Sequence, residues 1–371
     1  MVNQPFRTPY FLVDEARLTH NLELLKEVAQ KSGCKILLAQ KAFSMFSAYP
    51  LLRRYLDGTT ASGLYEAILG HETFGGETHV YSPAYRPDEF EAILSHADHI
   101  VFNSPTQLEK YGLRARNAHK SIGLRINPEC STQDGHAIYD PCAPASRLGT
   151  TKENFQLPIP VDGLHFHTLC EQNADALELT LAAVESKFDL HGLRWLNLGG
   201  GHHITRSDYD RDKLIEIIKR LRETYGVTVY LEPGEAVVLN AGFLVSSVLE
   251  VVHNGLDIAI LDTSAACHMP DVLEMPYRPS VIDGGEAKEK KYTYRLAGGT
   301  CLAGDVIGDY SFDAPLTAES TVVFEDMALY TMVKTNTFNG MALPSIVWRD
   351  LKGNDSLIRS FGYEAFKERL S

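Results

Sequence analysis

Short apolar runs alternate with amphipathic stretches through the first two-thirds of the chain. Phe11–Val13 is the first run, and the apolar positions after it have the spacing of a helix that Gly33 would end. A later amphipathic helix would end at Gly226. We interpret the other runs as strands: Lys35–Ala39, His79–Tyr81, Ile100–Phe102, Ser121–Asn127, Gly163–His167, Leu193–Leu198 and Val227–Leu231.

Regular alternation of strand and helix predicts a parallel sheet, because a crossover helix has to carry the chain back between parallel strands. About eight units in roughly 230 residues favour a (β/α)8 TIM barrel over residues 15–240, although a doubly wound sheet also fits. In such barrels the active site lies at the carboxyl ends of the strands. Residues that follow the predicted strands are therefore the first functional candidates.

The pattern changes after about residue 240. Phe243–Val252 is rich in β-branched residues and is followed by Asn254-Gly255, which predicts a two-residue hairpin turn with positive φ at both positions. Leu256–Leu261 would be the partner strand, and similar segments follow at 283–285, 292–296 and 321–324. We therefore predict a mainly antiparallel β domain, resembling that of alanine racemase, made of residues 1–14 and 241–371.

The composition is that of an ordinary globular protein, with 44% hydrophobic and 22% charged residues in a chain of 371. No apolar run is long enough to cross a bilayer, and the N-terminus lacks the apolar core of a signal peptide. The formal net charge of -13 disfavours nucleic acid and membrane partners and is compatible with a small cationic substrate. Six scattered cysteines predict reduced thiols in a cytoplasmic protein.

Lys41 is a lone amine at the end of an apolar, strand-like run. Burial disfavours the charged form of an amine, so a buried lysine needs a partner or a covalent role. A Schiff base with an aldehyde cofactor is one such role. The alternative is a strand-end lysine whose ammonium lies in solvent.

Two later strand ends carry further candidates. One strand runs into Gly199, Gly200 and Gly201, where the missing side chains let backbone N–H groups approach an anion such as a phosphate. Glu232 follows the next predicted strand, where a carboxylate could keep the pyridine nitrogen of a cofactor protonated. A tight βα turn and a turn-capping glutamate are the plainer alternatives.

His165 and His167 lie on one face of a predicted strand end, because side chains alternate along a strand. The pair could bind a metal, supply an imidazole that stacks on a flat cofactor, or form structural hydrogen bonds. Two other pairs could be ligands but have no metal-ligand spacing around them: His202-His203 and Cys267-His268. We therefore expect no metal.

These motifs occur in the order seen in the fold-type III pyridoxal-phosphate decarboxylases, which the chain resembles along nearly its whole length. The family includes ornithine, diaminopimelate and biosynthetic arginine decarboxylases. The similarity continues in the C-terminal half: Gly299–Cys301, Asp305, Ala328–Thr331 and Phe338–Gly340. The resemblance implies pyridoxal 5'-phosphate as the cofactor and a homodimer with shared active sites.

The resemblance also implies roles in cofactor binding. Lys41 would hold the cofactor as a Schiff base and His167 would stack on its ring. Glu232 would pair with the pyridine nitrogen, while Gly199–Gly201 and Tyr330 would hold the phosphate.

Further implied roles concern the substrate. Cys301 would return a proton to the substrate carbon, and the partner subunit would supply it together with Asp305. Three longer strings resemble the branch of the family that decarboxylates carboxynorspermidine and carboxyspermidine in polyamine biosynthesis: 38–43, 164–171 and 267–271.

One position departs from the pattern of the relatives. Ornithine and diaminopimelate decarboxylases carry Glu-Pro-Gly-Arg, whereas here Glu235 follows Glu-Pro-Gly. An arginine would help to hold an anion, so the acid disfavours diaminopimelate, whose far end is a carboxylate, and favours a tail of amines. Glu235 and Asp271 are candidates for pairing with that tail, unless both are merely solvated. The change leaves open which group balances the phosphate charge.

Three other functions stay open: a decarboxylase of another amino acid, a non-catalytic relative that binds the cofactor or a regulatory partner, and a metal-dependent barrel hydrolase. A non-catalytic protein has no chemical need for Lys41, Cys301 and Asp305. A hydrolase built on the histidine pair gives Lys41 no role. Carboxynorspermidine and carboxyspermidine differ by one methylene, which the sequence does not resolve.

Overall fold

The computed structural model describes residues 6–133 and 140–371. The chain divides into two compact units. The barrel unit is His20–Val237, and the sheet unit combines the chain up to Thr19 with Val238–Ser371.

Eight parallel strands close into a barrel in the barrel unit. After β1 (Tyr10–Asp14), which belongs to the sheet unit, the barrel strands are β2 (Lys35–Ala39), β3 (Gly58–Ala61), β4 (Glu77–Tyr81), β5 (His99–Phe102), β6 (Ser121–Arg125), β7 (Gly163–His165), β8 (Trp195–Asn197) and β9 (Thr228–Leu231). The barrel closes where β9 pairs with β2, with Lys35 opposite Tyr230. The predicted (β/α)8 barrel is confirmed, and the doubly wound alternative is wrong.

Helices lie before, between and after the barrel strands. They are α1 (Glu15–Ser32), α2 (Tyr49–Leu52), α3 (Leu64–Leu69), α4 (Phe90–His96), α5 (Pro105–Asn117), α6 (Ala174–Lys187), α7 (Arg211–Tyr225) and α8 (Glu235–Val238). Gly33 and Gly226 follow α1 and α7 with φ of 73° and 67°, the left-handed conformation that glycine adopts without strain. Both predicted helix ends are confirmed.

The sheet unit is a nine-stranded, mainly antiparallel sheet. Its remaining elements are β10 (Gly242–His253), β11 (Asp257–Leu261), α9 (Ala265–His268), α10 (Asp271–Glu274), β12 (Gly285–Glu286), β13 (Tyr292–Ala297), β14 (Val306–Phe312), β15 (Thr321–Glu325), β16 (Ser345–Arg349), β17 (Asp355–Arg359) and α11 (Tyr363–Lys367). The order is β12-β14-β13-β11-β10-β1-β16-β17, and β15 also pairs with β10. Within this sheet, only β1–β16 and β11–β13 are parallel among the pairs of described strands.

The hairpin predicted at Asn254-Gly255 forms between β10 and β11. Its turn differs from the prediction, because His253 pairs with Asp257 and three residues therefore lie between the strands. Gly255 has a φ of 69°, whereas Asn254 is not among the residues with positive φ. The third loop residue removes the need for two consecutive positive φ angles. No helix within residues 6–133 and 140–371 has the length and apolar character to span a membrane.

Candidate active site

The candidate residues of the barrel unit gather at the carboxyl ends of its strands. Lys41 lies two residues after β2, His167 two residues after β7, and Glu232 directly after β9. The register places His165 of β7 opposite Asn197 of β8. Because parallel strands in register end at the same edge, the barrel brings these side chains together.

The Lys41 side chain is accessible to solvent, yet protein surrounds it at the mouth of the barrel. Burial lowers the pKa of Lys41 and the Arg125 guanidinium lowers it further, while the carboxylates of Glu232 and Glu66 oppose the shift. The net direction increases the fraction of neutral amine, which is the form that adds to an aldehyde. A strand-end lysine in bulk water would lack this desolvation.

Two side chains lie against the Glu232 carboxylate. Its Oε1 accepts a hydrogen bond of 2.8 Å from Asn197 Nδ2, and its Oε2 lies 3.4 Å from His165 Nε2. Burial alone would raise the pKa of Glu232, but His165, together with His79 and Asn197, outweighs that effect and lowers it. Burial lowers the pKa of His165, so that the pair is an ionised carboxylate beside a neutral imidazole. Such a carboxylate can hold a proton on a pyridine nitrogen.

The glycine turn after β8 is packed against backbone. A Cβ on Gly200 would lie 2.5 Å from the carbonyl oxygen of Glu232. A Cβ on Gly201, whose φ is 80°, would lie 1.9 Å from the carbonyl oxygen of Leu169. Both distances are shorter than non-bonded contacts permit, so this turn requires glycine and leaves its surface clear of side chains.

Two N–H groups of the turn orient site side chains. The Gly200 N–H donates to Nδ1 of His167 at 3.0 Å, and the Gly199 N–H donates to Oδ1 of Asn197 at 2.9 Å. The bond from Gly200 makes Nδ1 the acceptor and leaves the ring proton on Nε2. Burial lowers the pKa of His167, which keeps the ring neutral. The turn therefore leaves room for an anion, and two of its N–H groups hold the side chains of His167 and Asn197.

Together these groups fit pyridoxal phosphate. The aldehyde of this cofactor requires the neutral form of an amine, and its pyridine nitrogen requires an ionised carboxylate. Its ring requires a flat, neutral imidazole, and its phosphate requires a turn without side chains.

Sequence reasoning missed Asn197 and Arg125. Asn197 bridges Glu232 and Gly199, and a polar residue inside an apolar strand was the signal for it. Arg125 ends β6 with 4% exposure, lies 4.6 Å from the Tyr81 ring centroid, and donates to the carbonyl oxygen of His167 at 3.0 Å. A cation at the end of a predicted strand was the available signal for Arg125.

Glu235 and Glu171 form an acidic group whose charges act on Cys170. Glu235 begins α8, and its Oε2 lies 3.7 Å from His203 Nε2. Burial, reinforced by the charges of Glu235 and Glu171, raises the pKa of the Cys170 thiol to about 12, and Lys41 acts on the same thiol in the opposite direction. The two carboxylates and the Lys41 amine therefore act on the same cysteine in opposite directions.

Four predicted site residues belong to the sheet unit. Asp271 forms an ion pair with Lys334, which also lies 3.3 Å from a Glu274 carboxylate oxygen. Tyr330 is half-buried and has a φ of 48°. Cys301 is exposed and Asp305 is buried, on the connection between β13 and β14.

A different polar cluster lies at the opposite ends of the barrel strands. Oε2 of Glu77 lies 3.1 Å from His79 Nε2 and 4.0 Å from His99 Nε2, a composition that could bind a divalent metal. However, Glu77 also pairs with Lys35 and accepts a 2.9 Å hydrogen bond from Tyr230. The two imidazoles stack at 3.9 Å with an interplanar angle of 9°, so their in-plane lone pairs do not converge. We interpret the cluster as a hydrogen-bonded layer of the barrel interior.

Comparison with known proteins places this site in a family. The family model described as "Pyridoxal-dependent decarboxylase, C-terminal sheet domain" matches residues 14–328. A carboxynorspermidine/carboxyspermidine decarboxylase of Campylobacter jejuni is 43% identical over the whole of both chains. A carboxyaminopropylagmatine decarboxylase of Synechocystis is 42% identical over 98% of this chain and 95% of its own.

A solved structure is similar over nearly the full length. The crystal structure of a Campylobacter jejuni carboxynorspermidine decarboxylase in complex with norspermidine superimposes with a TM-score of 0.91 at 43% identity, covering 98% of this chain and 100% of the other. The chain belongs to the family of pyridoxal-dependent decarboxylases, and its cofactor is pyridoxal phosphate.

Proposed function

We propose that this protein decarboxylates carboxynorspermidine, carboxyspermidine or both, and so forms norspermidine or spermidine in polyamine biosynthesis. The observation that carries the proposal is Glu235, an acid that acts on the same thiol as Lys41 and stands where ornithine and diaminopimelate decarboxylases have arginine. The similarity to the Campylobacter jejuni enzyme supports the same substrate class.

In the proposed reaction, the bound cofactor supplies a protonated ring that accepts the electron pair of the breaking carbon–carbon bond. Lys41 would bind the cofactor aldehyde and later help to release the amine product. Glu232, kept ionised by Asn197 and His165, would hold the proton on the ring nitrogen. His167, oriented by the Gly200 N–H, would stack on the ring and exclude water from its face.

The later proton transfer is assigned to Cys301, whose S–H would protonate the carbon that has lost carbon dioxide. We propose that this thiol comes from the partner subunit of a homodimer, as the family resemblance implies. Tyr330 is proposed as a phosphate ligand on the same basis. The six unpaired cysteines agree with the proposed cytoplasmic location.

The amine tail would be recognised by carboxylates. Glu235 and Glu171 are the barrel candidates, since both act on Cys170 together with Lys41. Asp271 is a candidate from the sheet unit, but a tail amine would have to compete there with Lys334. Leaving one charge of a buried pair without its partner costs about 2–5 kcal/mol, which is sufficient to discriminate against a substrate with an anionic tail.

A second candidate substrate is carboxyaminopropylagmatine, which the Synechocystis relative is named for. A guanidinium tail would also suit the acidic group, because carboxylates bind guanidinium through two parallel hydrogen bonds. The two proposals share the reaction and differ only in the end of the tail.

A comparison of substrates tests the proposal. Purified protein loaded with pyridoxal phosphate is assayed for carbon dioxide release from carboxynorspermidine, carboxyspermidine and carboxyaminopropylagmatine, with diaminopimelate and ornithine as controls. We expect kcat/KM for the best polyamine substrate to exceed that for diaminopimelate by about 100-fold or more. A higher value for diaminopimelate or ornithine would overturn the proposal, and the first three values rank the tails.

A further inference from the structure

The connection between β13 and β14 carries Cys301 and is held by side-chain hydrogen bonds. Its thiol is exposed, so no packed side-chain environment fixes the residue. The position of Cys301 therefore depends on the bonds made by the backbone around it.

Asp305 anchors one end of this connection. Its carboxylate is 3% exposed and accepts hydrogen bonds from Thr300 Oγ1 at 2.7 Å, Ser264 Oγ at 2.9 Å and the Ala266 N–H at 3.2 Å. The Thr300 N–H adds a fourth bond of 3.3 Å. Four donors match the capacity of one carboxylate, so a substrate amine could bind Asp305 only by displacing one of them.

Asn339 holds the backbone of Cys301 directly. Its Oδ1 accepts the Cys301 N–H at 2.9 Å, and its own backbone has a φ of 57° and a ψ of 13°. Asparagine tolerates this left-handed conformation better than other residues with a side chain. A bulkier or β-branched residue at 339 would therefore lose both the acceptor and the backbone conformation.

The segment that carries Asn339 is fixed in turn. Asn336 Nδ2 donates to the carbonyl oxygen of Ala266 at 2.7 Å, and the Asn336 N–H donates to that of Cys267 at 2.9 Å. Ala266 also donates to Asp305. The bonds of Asp305, Asn336 and Asn339 thus link three separate segments: 264–268, 298–305 and 336–340.

We propose that Asn339 is a positioning residue for Cys301: its side-chain amide fixes the cysteine backbone, and Asp305 anchors the same connection from the other side. This inference rests on the role proposed above for Cys301. A thiol that delivers a proton must lie within hydrogen-bond reach of the carbon, and a misplacement of about 1 Å can cost about 100-fold in rate.

Three variants separate the role of the Asn339 side-chain amide from the role of its backbone conformation. Asn339→Gly keeps the positive φ and removes the acceptor, whereas Asn339→Asp keeps an acceptor oxygen. Asp283→Gly is the matched control, since Asp283 is exposed in the same unit with a φ of 60°. All three are measured as full-length protein with bound cofactor, and thermal unfolding reports their folding.

In Asn339→Gly we expect kcat to fall by about 10-fold or more with KM changed by less than about twofold, because positioning affects the chemical step. Alkylation of Cys301 by iodoacetamide, followed by peptide mass spectrometry, should become about three- to tenfold faster, the factor expected for one lost hydrogen bond. Asn339→Asp and Asp283→Gly should stay near the parent in both measurements.

Two results would overturn the inference: unchanged kcat and labelling in Asn339→Gly, or equal losses in the Gly and Asp variants. Cys301→Ala distinguishes this from a failure of the proposed function. If Cys301→Ala retains full kcat, the role of the thiol is wrong; if it loses activity while Asn339→Gly does not, only the positioning role fails.

Discussion

The barrel unit and the sheet unit hold their candidate site residues in different ways. Lys41, His167 and Glu232 follow three barrel strands, so the regular backbone of the sheet sets their positions. Cys301 and Asp305 lie on an irregular connection that individual side chains hold. A regular scaffold spreads the task of positioning over many backbone bonds, whereas the connection depends on a few side chains, and single substitutions there should have clearer effects.

The largest effect is expected for Lys41 in the barrel unit. Lys41→Ala should lower kcat by about four orders of magnitude or more, as for loss of a covalent nucleophile. In the parent protein, borohydride should fix the cofactor on the peptide that contains Lys41, as detected by mass spectrometry. Lys31→Ala, at an exposed ion pair of α1, is the control and should change neither kcat nor the fixation of the cofactor on the Lys41 peptide. Fixation on any other lysine would contradict the assignment.

A smaller effect is expected for two acidic residues, Glu235 of the barrel unit and Asp271 of the sheet unit. Glu235→Gln should raise KM for the preferred polyamine substrate by about 10- to 30-fold with little change in kcat, because the lost charge contributes to binding. Asp271→Asn should raise KM less, since Lys334 already pairs with that carboxylate. Steady-state kinetics decide between them. An unchanged KM in both variants would remove the specificity argument, and a larger effect at Asp271 would reverse the comparison.

The next effect in size concerns the free energy of unfolding and the connection between β13 and β14 in the sheet unit. Asp305→Asn replaces an acceptor of four hydrogen bonds by an amide that has one acceptor oxygen, and should cost about 1.5–3 kcal/mol of unfolding free energy. Asp309→Asn is the control, because the exposed pair of Asp309 with Arg295 is worth about 0–1 kcal/mol. Urea unfolding measures both. Equal losses would show that the Asp305 bonds add nothing beyond a surface ion pair.

The smallest effect concerns pH and the barrel interior. Burial first, and then His79, lowers the pKa of His99 from 6.5 to about 3. Between pH 6.5 and 3 the unfolded chain therefore binds a proton at His99 that the folded barrel does not bind. The contribution of His99 to the free energy of unfolding is complete above pH 6.5 and is lost as the pH falls toward 3. Between pH 7 and 5 this residue should account for about 1–2 kcal/mol of the loss.

Urea midpoints at the two pH values measure this loss. His99→Gln should show a smaller difference between pH 7 and 5 than the parent protein does. His20→Gln, at an exposed position of α1, should show the same difference as the parent. A parent-like pH dependence in His99→Gln would contradict the assignment.

The sequence alone determined the alternation of strands and helices, because it is a local pattern that repeats, whereas the closure of the sheet into a barrel was decided by the structure. It also made Lys41, Gly199–Gly201 and Glu232 site candidates, since a candidate at the end of an apolar run can be recognised without knowing its neighbours. The family resemblance supplied the cofactor, and membership of that family rules out the metal-dependent hydrolase considered from the histidine pair. The sequence pattern did not reveal β3, because Gly58–Ala61 contains no apolar run.

Tertiary structure decided which distant groups meet. Asn197 and Glu232 are separated by 35 positions in the chain, and Asp271 and Lys334 by 63. Neither pair leaves a local pattern, because a hydrogen bond or an ion pair between distant segments depends on the path of the whole backbone. The same reason applies to the lowered pKa of Lys41, since its partial desolvation depends on protein from several strands around the barrel mouth.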